Sequence, residues 1–373
     1  MGLGWLDDAA AVLGTELSVR AVLAEGVRTT VARCWVDGST TATGGARSVV
    51  AKCFRSRAMA HNSGGLGIVR EVCGLASLPG GPTLLAADLD LGVVVMSDLA
   101  DPGPSPTLAD LLTDTGPGAD ERALAAARAW GEATGAALTG SRQHLERFRA
   151  LVRRADPQTR SEGGPTSPML PGRGALALAQ VLAGREVSQD EEAEVARLGD
   201  LHRDGPGRDG VAVVSQADAC PANVAFTPAG VRWCDFEATS WHHPALDLAQ
   251  LVVPWVGCQV AAGLPDEFTE ATASGYRVDG PPVSDDDLHA AVCAAVLQET
   301  ELSLAALRRR DSPARDGFAT GRQRMVARWR WVAGHPGTTP ALARLCEDAA
   351  RTAVERWGWP EGLPVAPCFD PRA

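Results

Sequence analysis

Lysine is nearly missing from this chain. Of its 35 basic residues, 34 are arginine and one is lysine, Lys52. Asparagine (Asn62, Asn223), isoleucine (Ile68) and tyrosine (Tyr276) are almost as scarce. All four types are read from A/T-rich codons, so a GC-rich coding sequence would thin them together. On that reading Lys52 is a residue left by chance. The other reading is a task arginine cannot do, because lysine is a compact ammonium on a flexible stem and arginine a wide planar fork. Position alone does not decide between the two.

Other absences narrow the class. The nine cysteines contain no C-x-x-C spacing and their number is odd. That reads as free, mostly buried thiols of a reducing cytoplasm, and excludes a disulfide framework or zinc site. The N-terminus has no basic region leading into an apolar core, so no signal peptide is expected. The most apolar stretch, 244–264, is interrupted by Asp247, Gln250 and Pro254 and does not read as a membrane span. The formal charge of -11 argues against a nucleic acid or an acidic membrane as partner, and is compatible with a cationic substrate. At 373 residues, 45% hydrophobic and 22% charged, the chain is an ordinary soluble globular sequence with room for two lobes and no internal repeat.

The first hundred residues read as a strand-rich unit. A short helix at 6–14 precedes β-branched runs at 17–24, 31–36 and 48–54. A helix at 66–78 follows, then strands at 83–88 and 91–96. After Asp98, Pro102, Pro104 and Pro106 mark a linker. Helical periodicity then fits 107–113, 120–140, 175–200, 243–262, 284–308, 318–333 and 339–357. Residues 156–174 are rich in Pro, Gly and Ser and read as a loop, and 211–236 as short strands and turns. The expected division is 1–100 and 101–373.

The chemistry concentrates in 215–247. Asp218 and Asn223 stand five apart in a loop between two apolar strands, and Asp235 begins a turn after the next strand, in Asp235-Phe236-Glu237. A hairpin would bring these ends together, so that oxygen-bearing side chains converge at one edge. Magnesium takes such hard oxygen ligands together with phosphate oxygens, and a remaining carboxylate can accept a proton from an attacking hydroxyl.

D-x-x-x-x-N, a strand, D-F-E and then His243-Pro-Ala-Leu-Asp247-Leu-Ala resembles the aminoglycoside phosphotransferase and choline kinase-like family, a branch of the protein-kinase-like fold. Ser48-Val-Val-Ala-Lys52 looks like the family's strand lysine, Arg70-Glu71 like its helix glutamate, and Val95-Met96-Ser97-Asp98-Leu99 like its hinge. The resemblance implies an α+β bilobal fold with a small β-rich lobe that binds nucleotide and a larger, mainly helical lobe that carries the catalytic loop. It implies ATP and Mg2+ as cofactors. Lys52 would contact phosphates and be held by Glu71. Asp218 would be the catalytic base or hydroxyl-orienting residue; Asn223 and Asp235 would bind magnesium, with Glu237 assisting. Ser97 and Leu99 would offer backbone groups to adenine. The loop 25–30, with Arg28 and Thr29, would lie over the phosphates, although it lacks G-x-G-x-x-G. Asp247 would cap a helix or brace the catalytic loop. Where the family has His-Gly-Asp, this chain has Gln216-Ala217-Asp218.

His202-Arg203-Asp204 copies a protein-kinase triplet, but position 209 is aspartate and no strand with D-F-E follows, so it reads as a solvated turn. His242-His243 reads as helix-entry packing, Trp329, Trp331, Trp357 and Trp359 as core, and Asp285-Asp286-Asp287 as an acidic helix N-terminus. Three functions stand open at this point: phosphoryl transfer to a small-molecule hydroxyl, the same transfer to Ser/Thr of a peptide, and a non-catalytic module that binds nucleotide or a partner, which Gln216 motivates. Lys52→Arg keeps the charge but widens the head. We expect it to lose most phosphotransfer; near-normal turnover would return Lys52 to an accident of base composition.

Overall fold

The computed structural model describes residues 4–26, 28–37, 43–55, 66–101, 103, 105–158, 175–177, 179–180, 184–203, 211–252, 260–307, 317–358 and 362–370, with backbone alone for 199–203 and 301–307. Helix α1 (Gly4–Leu13) leads into strands β1 (Glu16–Glu25), β2 (Thr29–Asp37) and β3 (Ser48–Phe54). Helix α2 (Gly67–Ser77) and strands β4 (Leu84–Asp88) and β5 (Val93–Ser97) complete this part. The strands form one antiparallel sheet in the order β1-β2-β3-β5-β4.

Alternation along the strands gives the sheet two buried faces. Ala32, Cys34, Val49, Ala51, Val93 and Val95 pack under α1 against Leu6, Ala9 and Leu13. Val94 and Met96 face the other way, onto Ile68, Val69 and Cys73 of α2. The period of two places Lys52, three residues beyond Val49, on the α2 face. The β4–β5 turn is closed by the Asp88 carboxylate, which accepts from the Asp90 and Leu91 amides at 2.7 and 2.9 Å. Gly92 follows at φ +73°, where a Cβ would meet the Phe54 carbonyl at 2.8 Å.

The rest is mainly helical: α3 (Leu108–Thr113), α4 (Ala119–Ser141), α5 (Leu145–Ala155) and α6 (Gln189–Arg203), then α7 (Ala245–Val252), α8 (Asp266–Asp279), α9 (Asp285–Leu307), α10 (Gly321–Gly334) and α11 (Pro340–Trp357). Two small antiparallel ladders sit between α6 and α7: β6 (Val213–Ser215) with β9 (Ser240–His242), and β7 (Val224–Thr227) with β8 (Gly230–Trp233). No helix among the described residues is long and apolar enough to cross a membrane.

The structure departs from the expected elements in several places. Helices α5 and α8 and strand β9 were not expected. The single helix expected at 175–200 is interrupted at Gly184 (φ +66°). A new start follows, where the Ser188 and Glu191 side chains cap each other's backbone amides and Arg185 grips Glu191 at 2.6 Å. The helix expected over 243–262 has residues 260–262 outside it. Most of the expected loop 156–174, together with Asp204, Asp209 and Trp359, lies outside the described residues. Among the described residues seven cysteines are free thiols, but Cys220 is disulfide-bonded, which corrects the expectation of free thiols throughout.

The two parts of the chain meet where α2 packs on residues 236–240. Arg70 is buried and donates from Nη1 to the Thr239 carbonyl. Burial lowers its guanidinium pKa to about 10. One turn on, a Cβ at Gly74 would lie 2.3 Å from Thr239 Oγ1 and 2.9 Å from its Cβ, and Thr239 is fully buried. Glycine is therefore needed for the helix to lie this close, and that approach sets where Glu71 stands. Gly74→Ala should cost about 1–3 kcal/mol through overpacking and displace Glu71. Gly140→Ala in α4, whose Cβ meets nothing within 4 Å, should be neutral or stabilising. Urea melts of the two variants check this: the first midpoint falls and the second does not.

Candidate active site

Lys52 lies on β3, 4% exposed, with its ammonium inside a ring of carboxylates. Nζ is 2.9 Å from Glu71 Oε2, 2.6 Å from Asp235 Oδ1 and 3.3 Å from Glu237 Oε2. Phe54 covers it, with the ring centroid 5.0 Å away. Burial alone would lower the lysine pKa, but the charges of Asp235, Glu71 and Glu237 outweigh it and push the pKa well above the ordinary range. Glu71 is pushed up to about 7, by burial against the pull of Lys52. Both shifts fit one picture: the proton stays on lysine, and burial, with the negative charges of Asp235 and Glu237 adding to it, lifts the glutamate. Glu71 Oε1 is buried with no hydrogen-bond partner among the described residues.

Asp218 follows β6. Its carboxyl is raised to about 7, first by desolvation and then by the negative charge of Asp235, with the Cys220 amide and the Asn223 side chain pulling the other way. Asn223 Nδ2 donates to the Asp218 carbonyl at 3.3 Å, and the Asn223 carbonyl accepts from the Cys234 amide at 2.9 Å. The loop is thereby stitched to the residue before Asp235. The Asp235 side chain is 37% exposed, against 5% for that of Lys52, so the open side of the cluster is the aspartate side.

A second tier holds the loop. Ser215 Oγ donates to Asp247 Oδ1 at 2.7 Å and accepts from the Ala217 amide at 3.0 Å. His242 Nε2 lies 2.7 Å from Asp247 Oδ2, and its Nδ1 lies 3.1 Å from Ser240 Oγ. The Nε2–H tautomer, with Ser240 donating to Nδ1, satisfies both ring nitrogens. Gln250 accepts from the Ala219 amide at 2.8 Å and donates to the Ala217 carbonyl at 3.3 Å. His242 is thus a buried partner of Asp247, more than the helix-entry packing residue expected. Its buried seat opposite an aspartate was invisible without β9.

Of the residues picked from sequence, Lys52, Glu71, Asp235 and Glu237 come together, with Asp218 and Asn223 beside them. Arg28 reaches the same group: its Nη2 is 2.6 Å from Glu237 Oε1. Thr29 opens β2, and its carbonyl accepts from the Gly26 amide at 2.8 Å. Ser97 lies at the end of β5, its amide bonded to the Thr83 carbonyl at 2.9 Å and its hydroxyl accepting from the Thr83 amide at 2.8 Å. The Leu99 carbonyl accepts from Ser105 Oγ at 2.9 Å, and its amide has no hydrogen-bond partner among the described residues. Sequence reasoning missed Asp98, buried between them. Its Oδ2 accepts from Arg33 Nε at 2.7 Å and from Ser48 Oγ at 2.8 Å, and its Oδ1 from the Ala100 amide at 3.0 Å.

Carboxylate oxygens of Glu71, Asp235 and Glu237 lie within 4.8 Å of one another. With Lys52, Arg28 and Asp218 the group holds four carboxylates against two cations. Hard oxygen donors with surplus negative charge suit a divalent cation such as Mg2+.

No family model and no curated protein matches this sequence. Solved structures do. Amicoumacin kinase hAmiN, in complex with AMP-PNP, Ca2+ and Ami, is similar over 93% of this chain and 92% of its own, at 16% identity and a TM-score of 0.51. A choline/ethanolamine kinase family protein from Mesorhizobium loti covers 93% and 99%, at 16% identity and 0.49. Choline kinase LicA from Streptococcus pneumoniae covers 94% and 97%, at 14% identity and 0.45. At such identities the likeness is one of fold: this chain has the bilobal protein-kinase-like fold, with an antiparallel five-stranded sheet in one lobe and a mainly helical second lobe.

Proposed function

We propose that this chain is an ATP-dependent phosphotransferase that moves the γ-phosphoryl group to a hydroxyl of a small molecule. The observation that carries the reading is the Lys52 ammonium held among Glu71, Asp235 and Glu237 beside the raised carboxyl of Asp218. A lysine fixed by a helix glutamate at 2.9 Å is positioned to meet phosphate oxygens without a further ordering cost. Asp235, Asn223 and Glu237 would hold Mg2+, which when bound would neutralise developing charge on the phosphates. Arg28, now on Glu237, would sit at the mouth of the phosphate site with Thr29 behind it. The hinge would take adenine through the Leu99 amide, since the Ser97 amide is committed to Thr83. The nucleotide-binding part would end near residue 100, and the acceptor would lie over the helices beyond.

Asp218 would orient the acceptor hydroxyl and take its proton. A carboxyl near pH 7 is matched to that work at neutral pH. Support for a small acceptor comes from the fold relative hAmiN, an amicoumacin kinase. The net charge of -11 makes a cationic acceptor suitable. The non-catalytic reading loses its motive, because Gln216 is bonded to the Cys234 and Asp235 carbonyls and Asp218 and Asn223 are kept. Mass spectrometry of small hydroxyl compounds and precursor peptides incubated with Mg-ATP tests the proposal. A phosphoryl gain on a small molecule supports it, a gain on peptides alone moves the acceptor class, and absence of both ATP turnover and a nucleotide-dependent melting shift sinks it.

Because the acting form of Asp218 is ionised, kcat/KM should rise with pH through about 7 and then level off, and Asp218→Asn should abolish turnover. The same shift gives a stability signature. Its folded pKa lies above the unfolded one, so its stabilising contribution is complete below the unfolded pKa and is lost as pH rises through about 7. Asp218→Asn removes that loss, and at pH 8 the variant should melt higher, by about 2–4 °C. A variant no more stable than wild type at pH 8 would contradict the assigned environment.

A further inference from the structure

Ala217 (φ +59°) and Asp235 (φ +64°) are the non-glycine residues with positive φ among the described residues. Left-handed backbone is unfavourable for any residue with a Cβ and persists only where its surroundings hold it. The two lie on facing segments, and one side chain joins them. Gln216, 8% exposed, donates from Nε2 to the Cys234 carbonyl and to the Asp235 carbonyl, each at 2.8 Å. Consecutive carbonyls point apart in extended chain. They converge on one nitrogen here because the residue between their peptide planes, Asp235, is left-handed.

We propose that Gln216 is a positioning residue: its amide clamps Asp235 in the left-handed turn from which the carboxylate reaches Lys52 and, in the proposed reaction, the divalent cation. The inference deepens the phosphotransferase reading and rests on it. The clamp needs two hydrogens on one nitrogen. A primary amide has them; a neutral imidazole has one N–H, and an imidazolium has two on different ring nitrogens. The glutamine that stands where the resembling family has histidine is therefore no vestige. It satisfies two carbonyls where histidine could satisfy one. Relaxed, the Asp235 turn would swing its carboxylate away from the 2.6 Å contact with Lys52.

The test follows melting temperature with ADP at a fixed concentration, with EDTA or with increasing Mg2+, for wild type, Gln216→Ala, Gln216→His and the isosteric Gln216→Glu, which at pH 8 accepts but does not donate. We expect all three variants to keep the ADP shift in EDTA and to need at least tenfold more Mg2+ than wild type for the metal-dependent part. We also expect kcat with a working acceptor to fall more than KM for ATP rises. A Gln216→Ala protein with the wild-type Mg2+ requirement overturns the proposal. If Gln216→Ala does not fold, Gln216→His decides alone, and wild-type Mg2+ dependence there overturns the two-hydrogen clamp. A wild type with no Mg2+-dependent ADP shift overturns the phosphotransferase reading itself, and is thereby distinguished from failure of the clamp.

Discussion

The arrangement of this molecule turns on one buried ammonium that faces three carboxylates. A lone buried charge is very costly, and so is a buried carboxylate. Placed together, each supplies what the other lacks, and the geometry must be met from three directions at once. Strand β3 brings Lys52, helix α2 brings Glu71, and the turn after β8 brings Asp235 and Glu237. No two of these elements can shift alone without leaving a charge unpaired. The cluster thus binds the sheet, its helix and the following lobe into one arrangement, and keeps a surplus of negative charge at its open edge.

The supports around the cluster share a logic. Each fixes backbone, and backbone in turn fixes the functional side chain. Arg70 and Gly74 hold α2 close to Thr239, so Glu71 arrives at Lys52. Asp98 ties the segment after β5 to β2 and β3 through Arg33 and Ser48. Ser215, Asp247, His242 and Gln250 hold the loop around Ala217, and Gln216 holds the turn at Asp235. Both strained residues sit in this web. That is where strain is expected when a site needs particular geometry more than it needs stability.

Much of the frame was legible in the chain. The apolar, β-branched runs at 48–54 and 91–96 gave the strands observed at Ser48–Phe54 and Val93–Ser97, and helical spacing gave α2, α4, α9, α10 and α11 close to their observed limits. Less legible were α5 and α8. Helix α5 carries many arginines, and α8 is built on small residues, with Gly275 closing onto Arg128 of α4, where a Cβ would meet a carbonyl at 2.3 Å. Hydrophobic periodicity is weak when contact is made by small side chains. The ladder of β6 with β9 escaped because it depends on a partner distant in the chain.

By itself, the sequence determined which residues can do chemistry: one lysine on an apolar strand, a helix glutamate, and Asp218, Asn223 and Asp235 at spacings that a hairpin can gather. It did so because residue type and local period are properties of short segments. Only the tertiary structure decided that Arg28 turns to Glu237, that the Ser97 amide is taken by Thr83, that His242 is buried against Asp247, and that Gln216 spans to the Asp235 turn. Those contacts join residues 14 to 209 positions apart, depend on left-handed backbone or, for the pair His242 and Asp247 five positions apart, depend on how β9 seats the histidine, and none of these is written in any local pattern.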